Sequence, residues 1–181
     1  MNKFIFSFLF FSFLSCSGEP EEESDVQDIK WTKEESINMN STFAAEEDVE
    51  IDDFLSHRPD WKMKKTGTGL RYFIYSKSEH SDTVRVGDQV TVDFVIELLD
   101  GTICYTSEKK GAESFIVEKT DIESGLHEGI KYLSTGDKAK FILPSHMAHG
   151  LIGDTEKIPP LSPVIYDITL IKIDNLSNTH P

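Results

Sequence analysis

The chain has 181 residues and a formal net charge of −14, enough for one ordinary domain with extensions and a substantial core. The charge is lopsided: Ser17–Asp60 carries 15 acidic and 3 basic residues, whereas 17 acidic and 14 basic residues follow from Trp61 onward. An anionic arm repels phosphates and anionic lipid heads, and no basic stripe with interleaved aromatics offsets it, so the composition speaks against a nucleic-acid partner.

In chain order, Lys3 is followed by "FIFSFLFFSFLS", too short to span a bilayer but suited to the apolar part of a signal peptide. Cys16 comes next, after small Ser15 and before the acidic "SGEPEEE". This resembles a bacterial lipoprotein signal. The expectation is that residues 1–15 are removed and that lipidated Cys16 anchors the protein in the cell envelope, at the outer membrane. The alternative is an ordinary secretory peptide with a chance cysteine. The acidic run after Cys16 also resembles a surface-export signal, so the periplasmic face and the cell surface both stay open. Only Cys104 then remains, so the mature chain forms no intramolecular disulfide. Just past the Asp100-Gly101 turn, in apolar surroundings, Cys104 reads as a small buried hydrophobe.

Residues 16–30 form an acidic tether that cannot bury enough apolar area to fold; its Ser17–Ile29 stretch reaches roughly 45 Å when extended. Over residues 31–60, Thr32 and Glu35 make a capping-box pattern, and Ile37, Ala44, Ile51 and Leu55 recur near helical spacing until Pro59. One or two short helices are expected, packed on the domain or used for pairing. In residues 61–175 the period switches to two. "TGLRYFIYS" predicts a strand, and "QVTVDFVIELLDG" sets Val90, Val92, Phe94, Ile96 and Leu98 against Thr91, Asp93, Val95 and Glu97. "ESFIVE", "DKAKFILP" and "PVIYDITLIKID" add strands. "DIESGLHEGIKYL" predicts a helix with Ile122, Leu126, Ile130 and Leu133 on one face. One helix against a largely antiparallel sheet makes an α+β domain.

Between Val86 and Ile173, the helix Gly125-Leu126-x-x-Gly129, "GDKAKFILPS", the Ala148-x-Gly150 loop and Ile158-Pro159-Pro160 resemble an FKBP-type peptidyl-prolyl cis-trans isomerase. With the "TGTGL" lead-in, helical arm and lipoprotein signal, the whole chain resembles the gliding-motility-associated lipoprotein subgroup. The resemblance implies a half-wound antiparallel sheet wrapped on one short helix, with an apolar pocket between them for a prolyl ring. Residue by residue it implies a pocket wall of Phe94, Ile122, Leu126, Ile158 and Tyr166, with Phe115 behind. Phe94 and Phe115 read equally well as core, since both lie on alternating strands. Pro159 and Pro160 would stiffen the lip; the plainer reading is that they end a loop before an edge strand.

The chain departs from the family pattern in three places. Leu126 stands where Trp is usual on the pocket floor. Cys104-Tyr105, or Tyr105-Thr106, stands where an aromatic and Asp are usual, so in either register the carboxylate is absent. His149 replaces a Tyr hydroxyl and offers a ring N–H instead. The implied chemistry is rotation about a prolyl amide, with Phe94, Tyr105, His149 and Tyr166 as the catalytic set. It requires no cofactor and no metal. His146, His149 and Asp154 lack the set spacing of a metal site, and "TGTG" lacks the Lys-Ser/Thr ending of a phosphate loop and reads as a turn. The expected partners are proline-containing exported polypeptides; the sequence is silent on oligomeric state. The competing reading is a non-catalytic proline-peptide binding module or chaperone.

Overall fold

The computed structural model describes residues 32–175. The expected leader, Cys16 and the acidic tether lie outside the described residues. At Thr32 the capping box is present: the Thr32 N–H donates to Glu35 Oε2 at 2.8 Å, and the Glu35 N–H donates to Thr32 Oγ1 at 3.2 Å. One helix of 24 residues follows, α1 (Lys33–Ser56), rather than two short ones, because neither Gly nor Pro interrupts the segment. Only part of its expected apolar series is used. Ile37 is 55% exposed, whereas Ile51 is fully buried against Ile142 and Ile165.

The sheet contains β1 (Lys64–Lys65), β2 (Arg71–Ser76), β3 (Gln89–Leu98), β4 (Ile103–Thr106), β5 (Glu113–Ile116), β6 (Lys138–Leu143) and β7 (Val164–Asp174). Its order is β1-β2-β6-β7-β3-β4, with β5 also pairing with β3, and every pairing is antiparallel. Two short helices, α2 (Ser107–Lys110) and α3 (Ser124–Ile130), complete the main elements. β1, β4 and α2 escaped the sequence reading because segments of two to four residues carry no measurable period. The "TGTG" segment is the turn joining β1 to β2, closed by Thr66 N–H to the Leu70 carbonyl at 2.9 Å.

β3 lies beside β7 with Phe94 opposite Ile168 and Ile96 opposite Tyr166. The alternation then sends Val90, Val92, Phe94 and Ile96 inward with Phe141, Tyr166, Ile168 and Leu170 to form the main core. On the other face, Ile142 and Ile165 meet Ile51 of α1 together with Phe54, Trp61 and Met63. Covering both faces explains why "FIL" and "VIY" read as unbroken apolar runs. Polar anchors hold α1 in place. The buried Arg71 guanidinium donates to Asp48 at 2.8 Å and Asp52 at 2.7 Å, and the buried Glu47 carboxylate accepts from the Ser145 N–H at 2.7 Å and from the Ser145 hydroxyl.

α3 is shorter than its pattern suggested: Ile122 precedes it and Leu133 follows it. Two glycines weaken its propensity, yet close packing requires them. A Cβ on Gly129 would stand 2.7 Å from the Phe141 ring. Gly129→Ala is therefore expected to cost about 1–3 kcal/mol through overpacking. Chemical denaturation checks this; an unchanged midpoint would mean that Phe141 moves aside freely.

Candidate active site

Between α3 and the inner face of the sheet lies a cavity of about 410 Å³. Strand β3 contributes Val92, Phe94 and Ile96, β5 contributes Phe115, β7 contributes Tyr166 and Ile168, the segment entering α3 contributes Ile122, and α3 itself contributes Leu126. Alternation aims the strand side chains to one side, and Gly125 and Gly129 let α3 approach closely enough to close the opposite wall. Seven residues singled out in the sequence thus line one space: Phe94, Tyr105, Phe115, Ile122, Leu126, His149 and Tyr166. Phe94, Phe115, Leu126 and Tyr166 are at the same time core residues, so the two readings of Phe94 and Phe115 describe the same atoms. Ile158 is placed differently. Its side chain is buried in the core at 2% exposure, and its N–H fastens the lip.

That lip is organised by Asp154. Its Oδ1 accepts from the backbone N–H of Glu156, Lys157 and Ile158 at 2.9, 2.8 and 2.7 Å, and its Oδ2 accepts from the Tyr105 hydroxyl. Tyr105 thus meets a carboxylate from a different segment, 49 residues further along the chain. Burial alone would raise the Asp154 carboxyl. The Tyr105 hydrogen bond and the three N–H donors outweigh it and hold the group well below the ordinary carboxylate range. Tyr105 is pushed up in return, first by the hydrogen bond to Asp154 and then by burial. Behind it Cys104 is buried, and burial followed by the Asp154 charge pushes its thiol up, the setting of an inert residue.

The linkage has a definite sign. With the folded pKa depressed, the stabilisation from Asp154 is complete above the unfolded value of about 3.9 and is lost as pH falls through the lower folded value. The stability difference between wild type and Asp154→Asn should therefore be constant from about pH 7 to 5 and narrow below about pH 4. Thermal melts across that range test it, and a difference constant down to pH 2 would dissociate Asp154 from acid unfolding.

On the far wall, His149 Nε2 lies 3.1 Å from Glu123 Oε1, and both side chains are largely buried. Burial, then the neighbouring Glu123 carboxylate, raises the Tyr166 phenol well above its ordinary value. Glu123 was not singled out in the sequence; it follows Ile122 in a helix-entry segment where acidic residues are common, and nothing local marks it as facing inward. His146 instead meets the Thr68 carbonyl at 3.1 Å, so His146, His149 and Asp154 engage three separate partners. Among the described residues no group of three His, Cys, Asp or Glu side chains is arranged to hold a metal.

The family model for FKBP-type peptidyl-prolyl cis-trans isomerases matches residues 80–171, which contain the whole cavity. The chain belongs to this family. It is similar to a "Probable FKBP-type peptidyl-prolyl cis-trans isomerase FkpA" of Neisseria meningitidis, with 27% identity over 82% of this chain and 60% of the relative. It is 34% identical to the "Peptidyl-prolyl cis-trans isomerase Fkbp12" of Drosophila melanogaster over 59% of this chain and 99% of that protein. The crystal structure of FkpA from Escherichia coli shares the fold at a TM-score of 0.59 and 22% identity, covering 80% of this chain and 74% of that one. The chain spans 60% and 44% of the lengths of the FkpA relatives from Neisseria and from Buchnera aphidicola of Schizaphis graminum. Within this FKBP-type domain the implied Trp position is occupied by Leu126, which lines the cavity with Ile122, and His149 with Glu123 adds a polar part of the wall.

Proposed function

We propose that this FKBP-type chain is a peptidyl-prolyl cis-trans isomerase acting on X-Pro bonds of exported proteins, lipid-anchored through Cys16 in the bacterial envelope at the outer membrane and serving gliding motility. One observation carries the catalytic part: a cavity of about 410 Å³ walled by Phe94, Phe115, Ile122, Leu126 and Tyr166, beside a lip fastened by Asp154. A prolyl ring is apolar and compact and suits such a wall. Rotation about the amide must cross a barrier of roughly 20 kcal/mol and takes tens of seconds or more uncatalysed. The twisted amide loses resonance and charge separation, so a dry apolar wall favours it over the planar ground state. His149 and Tyr105 line this cavity and supply the polar edges that a rotating carbonyl could meet.

The anchoring part rests on the lipoprotein-like signal and Cys16. No helix among the described residues is long and apolar enough to cross a membrane. The binding-module reading draws on Glu123, a carboxylate in an apolar wall that adds a desolvation cost to any bound ring. Two measurements test the proposal. The full chain should accelerate cis-trans exchange of a short X-Pro peptide, and cells fed a labelled lipid precursor should mark the wild type but not Cys16→Ser. Peptide binding without acceleration would leave a binding module, and an unlabelled wild type would remove the anchor.

A further inference from the structure

The rim of the cavity is electrostatically one-sided. Glu113 of β5, Glu123, and Asp154 and Glu156 of the lip all line it, against Lys110 and the imidazole of His149. Their carboxylates are not equally occupied. Asp154 is taken up by Tyr105 and three backbone N–H groups, and Glu123 faces His149. Glu113 and Glu156 are exposed, and among the described residues neither has an ion-pair partner; the Glu156 carboxylate accepts only a 3.3 Å contact from the Tyr105 hydroxyl.

The lysines closest to them in the chain are engaged elsewhere. Lys110 and Lys157 stand over the Tyr105 ring at 4.3 and 4.6 Å from its centroid, and the Lys157 ammonium donates to the Cys104 carbonyl at 2.8 Å. Lys110 of the rim and Lys157 of the lip are thus held at an aromatic face and a carbonyl, while two carboxylates from separate segments line the cavity without an ion-pair partner among the described residues.

Resting on the isomerase reading above, we infer that the pocket selects prolines whose preceding residue is Lys or Arg, with Glu113 and Glu156 as the specificity-determining residues. The prolyl ring enters the apolar space, and the neighbouring side chain stays at the rim, where two uncompensated carboxylates meet it. At separations of several Å in a water-like medium each carboxylate changes the encounter by about 2- to 3-fold. Attraction of Lys and repulsion of Glu, each by two carboxylates, multiply four such factors, so the two peptides should differ by about 16- to 80-fold at low ionic strength, and salt should erase most of the difference.

The test uses the full chain and three otherwise identical peptides carrying Lys, Leu or Glu before the proline. The expected order of kcat/KM is Lys over Leu over Glu at low salt, converging to within about 2-fold at 0.5 M salt, where the Debye length is only a few Å. Combining Glu113→Gln with Glu156→Gln should collapse the Lys-to-Glu ratio at low salt. Equal rates for the Lys and Glu peptides at low salt, or a ratio unmoved by the double substitution, would overturn the inference while leaving the isomerase reading intact. If no peptide is turned over, the isomerase reading fails separately, and fluorescence anisotropy of the same peptides still decides: tighter binding of the Lys peptide supports the selectivity, and equal binding or none overturns it.

Discussion

Tyr166→Ala is expected to lose most of the isomerase rate per folded molecule and about 3–5 kcal/mol of stability. The ring is 3% exposed, lies opposite Ile96 on β3 and Phe141 on β6, and walls the cavity, so its removal opens a void that the flanking strands cannot close. A loss of that size is a large share of a typical domain's stability, so the rate must be normalised to the folded fraction. Tyr166→Phe separates ring from hydroxyl. It keeps the wall and should cost only about 1 kcal/mol. It should also change the alkaline limb. Because the folded phenol pKa is raised, its stabilisation is complete below the unfolded value of about 10 and is lost as pH rises through the higher folded value. Denaturation from pH 8 to 11 should show stability falling above about pH 10 in the wild type, and that part of the fall should vanish in Tyr166→Phe. A folded Tyr166→Ala variant that turns over at the wild-type rate would move the reaction out of this cavity.

Glu47→Ala should be nearly as damaging, although Glu47 lies on α1, outside the matched family region. Its buried carboxylate satisfies both the N–H and the hydroxyl of Ser145. Alanine strands two buried donors at about 1–3 kcal/mol each, so a loss of about 2–6 kcal/mol is expected. The consequence reaches the site. Ser145 begins the turn leading to His149, and its carbonyl accepts from the Gly150 N–H at 2.8 Å, so loosening it should raise KM as well. Glu47→Gln retains one acceptor oxygen and should fall between. Urea denaturation of the three proteins checks the order; coincident curves would show that α1 contributes nothing through this contact.

Much of this was legible in the order of residues. Alternation in Gln89–Leu98 determines a strand with one buried face, and Thr32 and Glu35 determine the start of α1, because each depends on groups only a few positions apart. The apolar wall came from the resemblance to the FKBP-type pattern; alternation by itself read Phe94 and Phe115 equally well as core. What only the tertiary structure decided are pairings between distant segments. Tyr105 meets Asp154 across 49 positions and Glu47 meets Ser145 across 98, and Glu123 turns inward to His149 rather than out to solvent. No period encodes these contacts. A carboxylate's chemistry reads the same wherever it stands in the chain, and only packing the sheet against α1 and α3 brings each one to its donor and removes the water that would otherwise have satisfied it.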